Sequence, residues 1–259
     1  MSDKLSINDI KNEYKTIHDY DIVLFENFIN KYKLDERAGV ISLVKKAKIK
    51  IHDYELEVER SKNMLKFEKK YKEMGYKHIC GIDEVGRGPL AGPVVTCAVI
   101  LPSDEIILGL NDSKQLSKKK REELYDIIVN KAVCYSIGIN SHERIDEINI
   151  LQATYEAMRM SIYNMDVKPD LLLNDAVKIP DVDITQVPII KGDTLSASIA
   201  AASIVAKVTR DRIMDDYDKK YPGYDFKNNV GYGSGKHIEA IKNLGPCEIH
   251  RRTFIKNFI

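Results

Sequence analysis

Adjacent carboxylates close an apolar run and a glycine-rich turn follows at once in Gly81-Ile-Asp83-Glu84-Val-Gly86-Arg87-Gly88-Pro-Leu-Ala-Gly92-Pro93. Neighbouring residues of a strand point to opposite faces, so Asp83 and Glu84 share a site only near the strand's end, or where each reaches a different cation. Two further acids, Asp175 after Leu171-Leu172-Leu173-Asn174 and Asp193 after Ile189-Ile190-Lys191-Gly192, also end strand-like runs. Strand ends are where α/β folds gather their sites. Asp193 has a second reading, as a cap for the Ala/Ser-rich helix that follows it. Four hard oxygen donors without a His or Cys partner suit Mg²⁺ or Mn²⁺ better than zinc. Two such ions serve phosphoryl chemistry by activating a water and stabilising the leaving oxygen.

Other motifs carry weaker signals. Gly86-x-Gly88-x-x-Ala91 formally matches a dinucleotide fingerprint, but that motif must open a helix, and here Pro89, Gly92 and Pro93 lead into the strand-like Val94–Val99. Ser113, Lys114, Ser196 and Lys207 are candidates for contacts to substrate phosphates, although any one lysine is equally readable as a solvated surface charge. Tyr232, in Gly231-Tyr232-Gly233, reads by itself as the aromatic lid of a surface turn. His250-Arg251-Arg252 is either a phosphate clamp or a buried structural knot, and the structural reading is preferred. His142 and His237 read as surface residues.

The elements that must position these residues follow from pattern. Up to about Tyr76 the chain is rich in Lys, Glu, Ile and Tyr and nearly free of Gly and Pro, which predicts an all-helical segment with one long helix over 39–72. Met74-Gly75-Tyr76 marks a change of composition, giving a helical extension over 1–75 and a second region over 76–259. Strands are expected at His78–Val85, Pro93–Leu101, Val133–Asn140, Asp170–Ala176 and Val187–Lys191. The first gap is too short for a crossover helix, so the first three strands are antiparallel and parallel strands join later. Ala197, Ala200, Ala201 and Ala202 let the helix starting at Ser196 pack closely on the sheet.

With 40 basic and 39 acidic residues the net charge is +1, so any basic surface is local. Lys45, Lys46, Lys48 and Lys50 form such a cluster, readable as an accessory nucleic-acid contact or as a solvated helix face beside Glu55, Glu57 and Glu59. The four cysteines lack C-x-x-C spacing, which argues against a zinc knuckle. No signal peptide and no apolar run of membrane-spanning length is found, so a cytoplasmic location without membrane contact is expected.

The Asp83–Pro93 run resembles the signature of ribonuclease HII. Further matches follow in that family's order: Asn111-Asp112-Ser113-Lys114-Gln-Leu-Ser, Leu173-Asn174-Asp175-Ala176, the stretch from Lys191-Gly192-Asp193 through Ser196 and Lys207 to Arg212, Gly231-Tyr232-Gly233-Ser234, and His250-Arg251-Arg252-Thr253-Phe254. The resemblance covers about Ile79 to Phe254. Asn174, where an aliphatic residue is common, and Thr253, where serine is usual, depart from it; so does the helical segment 1–75, which minimal members lack.

The resemblance implies a ribonuclease H-like mixed sheet flanked by helices. It implies that Asp83, Glu84, Asp175 and Asp193 bind two Mn²⁺ or Mg²⁺ ions, with Asp83 bridging both, Glu84 and Asp175 completing one site and Asp193 holding the other. It further implies that Gly86, Arg87 and Gly88 approach a ribose 2′-hydroxyl, the group that separates RNA from DNA, and that Tyr232 packs on the neighbouring sugar. The expected activity is endonucleolytic hydrolysis of RNA in RNA–DNA hybrids and 5′ to ribonucleotides in duplex DNA, leaving 3′-hydroxyl and 5′-phosphate ends. No obligate protein partner is expected, and a monomer is the default. The alternatives are a type 3 ribonuclease H, against which Pro-Leu-Ala-Gly-Pro argues, and a binding protein that has lost catalysis, against which all four carboxylates argue.

Overall fold

The computed structural model describes residues 5–259, which form two compact units meeting at Lys62–Asn63. The first unit is all-helical. Ser6 and Asp9 cap α1 (Ile7–Thr16) reciprocally, each side chain taking the other's backbone N–H, and Asp21 caps α2 (Ile22–Tyr32) through the Leu24 N–H. With the first part of α3 (Ala38–Met64) these helices enclose Ile10, Phe25, Phe28, Tyr32, Val40, Leu43 and Ala47. Lys45, Lys46 and Lys48 are exposed, whereas Lys50 binds Asp19 at 2.8 Å.

The helix expected over 39–72 is two helices. Leu65 leaves helical geometry at φ −86°, ψ 4°, and α4 (Lys66–Glu73) begins after it. Met64 and Leu65 are both buried in the core of the second unit, so packing overrides continuous helical propensity there. Compactness thus divides the chain earlier than the composition change at Gly75, because α4 is built into the second unit. The buried Glu68 accepts from Ser196 Oγ at 2.6 Å and from the Ser198 N–H at 2.9 Å.

The second unit continues with β1 (Ile79–Val85), β2 (Val94–Ile100), α5 (Lys118–Lys131), β3 (Cys134–Asn140), α6 (His142–Tyr163), β4 (Leu171–Asp175), β5 (Thr185–Ile189), α7 (Gly192–Leu195), α8 (Ala197–Lys220), α9 (Phe226–Asn229), α10 (Gly235–Leu244) and α11 (Arg252–Ile255). The sheet order is β3-β2-β1-β4-β5. As expected, β1, β2 and β3 pair antiparallel and β4 and β5 add in parallel. The last strand starts and ends two residues earlier than predicted, because Lys191 takes a left-handed conformation (φ 57°) that opens α7.

Alternation along the strands divides the core. Val95, Cys97 and Val99 face α8 and α5, whereas Cys80, Ile82, Ala98, Ile100 and Leu172 pack with Met158 and Ile162 of α6. The close fit of α8 rests on small residues: Ala197, Ala200, Ala201 and Ala202 are buried, and a Cβ on Gly81 would lie 2.1 Å from the Ser198 carbonyl carbon.

Removing residues 1–73 is therefore expected to cost the second unit more stability than removing 1–62, by about 3 kcal/mol, because Ser196 Oγ and the Ser198 N–H lose their buried acceptor. Urea unfolding of the two truncated proteins measures the difference. Equal midpoints would contradict the assignment of α4 to the second unit.

Candidate active site

The parallel register that pairs Ile82 with Asn174 carries Asp175 alongside Asp83 at the ends of β4 and β1. Both side chains lie on the α8 face, and Glu84, one residue on, is at the edge where the strand gives out. Asp175 Oδ1 accepts from the Gly192 N–H at 2.8 Å, which ties the end of β4 to α7 and to Asp193 in its first turn. Asp193 does not cap the alanine-rich helix; Ser196 does, through the Ile199 N–H.

Charge is poorly balanced at this edge. Burial pushes the Asp83 carboxyl well above the usual carboxylate range, and the neighbouring charges of Glu84 and Asp175 push it the same way; hydrogen bonds from Ser203 and from the Glu84 N–H, the latter at 2.8 Å, oppose this. Burial also raises Glu84, against the pull of Arg87, whose Nη1 lies 3.2 Å from Oε1, and of Lys114. Asp193 is raised by burial, then by Asp175 and Asp112, with Lys114 opposing. Ser203 and Asp112 join the site here; both lie in stretches that match the family motifs but are not singled out there as site residues, and the fold brings them to the acids.

The turn after Glu84 is held from behind. Arg251 is fully buried and donates to the carbonyls of Gly86 (2.6 Å), Arg87 (2.9 Å) and Gly92 (2.9 Å). Arg210, also fully buried, donates to Pro93 (2.9 Å), Ala91 (3.1 Å) and Val230 (2.7 Å). Burial pulls Arg210 down to about 10 and Arg251 to about 9. His250 and Arg251 thus form the buried structural knot, while Arg252 is exposed, and Thr253 anchors the segment by donating its N–H to Asp146 at 3.0 Å.

The two glycines of the turn differ. Gly86 has φ +91°, and a Cβ there would meet Arg210 Nε at 2.3 Å and the Pro93 carbonyl at 2.7 Å, so the fold itself demands glycine. Gly88 is exposed, has no positive φ, and its Cβ would meet only Tyr232 Cε1, at an ordinary 3.7 Å. The Tyr232 ring, 41% exposed, stands beside Gly88.

The remaining candidates divide. Lys114 is exposed and within electrostatic reach of Glu84 and Asp193. Ser113 is buried, with Oγ 3.0 Å from Ser203 Oγ, and Lys207 binds Asp211 at 2.6 Å. Ser196 is closed to substrate, since its fully buried hydroxyl serves Glu68 and the cap of α8. His237 is fully buried rather than at the surface.

The donor chemistry suits hard divalent cations: four carboxylates, no His or Cys among them, and repulsion that Arg87 and Lys114 offset only in part. Among the described residues no group of three or more His, Cys, Asp or Glu is drawn together around one point, so the acids are neighbours in charge and not a closed cage.

A five-stranded mixed sheet flanked by helices, with acids at the ends of its central strands, defines a nuclease of the ribonuclease H-like class. A model described as "Ribonuclease HII" matches residues 80–257, and one described as "Ribonuclease HII N-terminal domain" matches 6–72. A ribonuclease HII of Lachnoclostridium phytofermentans is 61% identical over 228 residues, 88% of this chain and 89% of that one. Among solved structures, the ribonuclease H2 of Pyrococcus horikoshii superposes with a TM-score of 0.59 at 28% identity, covering 70% of this chain and 97% of that one. The RNase HII of Archaeoglobus fulgidus, solved as a PCNA:RNase HII complex, gives 0.58 at 28% identity over 70% of this chain and 96% of its own. The chain belongs to the ribonuclease HII family, enzymes that degrade the RNA of RNA–DNA hybrids. A recorded complex with PCNA in one relative gives no support to the expectation that no protein partner is needed. Among the described residues no helix is long and apolar enough to cross a membrane.

The charge imbalance has a thermodynamic consequence. A carboxylate with a folded-state pKa above its unfolded value binds more protons when folded across the interval between them, so stability falls as pH rises through that interval. At neutral pH and without cations, Asp83 therefore opposes folding. Asp83→Asn is expected to raise the Tm of the chelator-treated protein by about 2–4 °C, while Mg²⁺ stabilises the wild type more than the variant. Thermal scans with chelator and with Mg²⁺ check this, and a lower Tm for the metal-free variant would contradict it.

Proposed function

We propose that the enzyme hydrolyses RNA in RNA–DNA hybrids and cuts 5′ to ribonucleotides embedded in duplex DNA, leaving 3′-hydroxyl and 5′-phosphate ends. We assign Asp83, Glu84, Asp175 and Asp193 to the binding of two Mn²⁺ or Mg²⁺ ions. The observation that carries the reading is the gathering of four acids near the ends of β1 and β4, of which burial and neighbouring negative charge hold Asp83, Glu84 and Asp193 in an unfavourable state. A divalent cation would relieve the repulsion that Arg87 and Lys114 offset only in part.

When bound, the ions supply activation of the attacking water and neutralise charge on the leaving oxygen. The chain's own residues do the rest. Asp175, fixed by the Gly192 N–H, and Asp83, fixed by Ser203 and the Glu84 N–H, present oxygens in a set orientation. Arg87 and Lys114 lie beside the acids and can draw a backbone phosphate to them. Gly88 lacks a side chain that the fold leaves room for, which supports close approach of a ribose there, and the Tyr232 ring beside it can pack on the adjoining sugar. Discrimination by the 2′-hydroxyl follows from that approach.

The direct test is cleavage of an end-labelled DNA duplex carrying one ribonucleotide, beside a uniform RNA–DNA hybrid, with Mg²⁺ or Mn²⁺. Cutting immediately 5′ of the ribonucleotide, abolished by chelator and by Asp83→Asn, is expected; cutting of the hybrid alone would sink the embedded-ribonucleotide reading. Gly88→Ala is expected to keep its Tm within about a degree yet lose about tenfold or more in kcat/KM. Gly86→Ala should instead lower the Tm by several degrees, because its Cβ meets Arg210 and the Pro93 carbonyl. An unimpaired Gly88→Ala enzyme would remove the ribose from that position.

A further inference from the structure

Next to Tyr232 in the fold, two histidines sit in a box of aromatic rings that the chemistry above does not use. Tyr224 and Phe226 stack at 5.4 Å between centroids; His250 packs on Tyr224 at 5.0 Å and His237 edge-on to Phe226 at 5.2 Å. His237 and His250 are both fully buried, with their Nε2 atoms 3.0 Å apart. His237 Nδ1 lies 2.8 Å from the Tyr232 carbonyl, and His250 Nδ1 lies 3.0 Å from the Cys247 amide nitrogen.

Only one assignment of protons satisfies all three contacts. The Cys247 amide can only donate and lies nearer to His250 Nδ1 than the Cys247 thiol (3.1 Å) or carbonyl (3.3 Å), so His250 Nδ1 accepts and carries no proton. A neutral His250 then has its proton on Nε2 and donates to His237 Nε2. His237 in turn has its proton on Nδ1, and donates to a carbonyl that can only accept. The chain runs one way, from the Cys247 N–H to the Tyr232 oxygen. A second proton on either ring would set two N–H groups against each other at 3.0 Å. Burial acts in the same sense, lowering His237 and pushing His250 down to about 4; Cys247, Tyr224, Arg252 and His142 are the other ionisable groups around the pair.

Each end of the chain is fixed to one half of the proposed ribonucleotide site. Tyr232, at one end, stands beside Gly88. At the other, His250 precedes Arg251, which grips the carbonyls of Gly86 and Arg87, while His250 itself bridges to Ala91.

We infer that His237 and His250 are positioning residues for substrate selection, a one-way hydrogen-bond chain that fixes the Tyr232 turn against the Gly86–Gly88 turn. The inference rests on the reading of Tyr232 as the residue that packs on the sugar next to the ribonucleotide. A loosened chain leaves the carboxylates in place and lets the tyrosine drift. The loss therefore falls mainly on the duplex with a single ribonucleotide, where one sugar step must be recognised, and less on a uniform hybrid, where every step offers a site.

Two experiments test it. In wild-type protein labelled with ¹⁵N-histidine at pH 6, where a free imidazole is more than half charged, both rings are expected to be neutral, His237 protonated on Nδ1 and His250 on Nε2. A charged ring or the opposite tautomer at either position overturns the chain, and this readout needs no variant to fold. For kinetics, His237→Asn keeps a donor at the place of Nδ1, facing Tyr232, whereas His237→Gln keeps a polar group only at the place of Nε2, facing His250. On the single-ribonucleotide duplex the Gln variant is expected to lose about tenfold in kcat/KM and on the hybrid less than about threefold; the Asn variant recovers to within about threefold of wild type on both. Equal losses on both substrates in both variants, at matched Tm, would reduce the pair to packing and overturn the inference. Tyr232→Ala separates the two ideas. If it leaves the ratio between the substrates unchanged, the reading of Tyr232 fails and takes the selection role with it. If it shifts that ratio while His237→Gln does not, the inference alone fails.

Discussion

A chain segment that carries no ladder or helical hydrogen bonds cannot be buried unless something else satisfies its carbonyls. The turn from Gly86 to Pro93 meets that constraint with two buried guanidiniums. Arg251 and Arg210 donate to the carbonyls of Gly86, Arg87, Ala91, Gly92 and Pro93. A guanidinium suits the task because five N–H donors in a rigid plane can serve several carbonyls at once and stay charged even when burial depresses the group. Gly86 is glycine for the same reason, since the Arg210 side chain fills the space of a Cβ. The outer rim of the turn, at Gly88, is exposed and carries no side chain.

The carboxylate edge obeys the opposite logic. Its acids are held near one another by the strand register, by the Gly192 N–H and by Ser203, yet they lack enough positive charge to be comfortable there. Folding free energy from the rest of the unit holds this repulsion in place, as expected where a site is built for a charge that arrives from outside. The rigid parts, β1, β4 and the small-residue face of α8, lie directly beneath it.

Supports from far along the chain converge on this arrangement. Glu68 on α4 fixes the start of α8 through Ser196 and Ser198, and α8 carries Ser203 to Asp83 and Arg210 to the turn. The segment around His250 and Arg251 joins the Tyr232 turn to the Gly86–Gly88 turn. These are polar, directional contacts in a buried setting, where the loss of one partner leaves the other unsatisfied.

Much of this was legible in the chain. Strand positions, the antiparallel-then-parallel pairing and the small-residue helix follow from alternation, gap lengths and alanines, all local properties. So does the placing of Asp83, Glu84 and Asp175 at strand ends, whereas Asp193, expected there too, lies in the first turn of α7. Tertiary structure alone decided the partners. Ser196 looked like a phosphate contact and is instead consumed by Glu68, 128 positions away; His237 looked like a surface residue and is half of a buried pair. The Arg251 bond to Gly86 joins residues 165 positions apart, and the break at Leu65 comes from a core that the helix's own sequence does not contain. By itself the sequence determined which segments become strands and helices and which residues could do chemistry, because those depend on near neighbours. Which polar groups stay free for a substrate and which are spent inside the molecule was settled only on folding, because a hydroxyl or imidazole bonds to whatever donor or acceptor the packing brings to it.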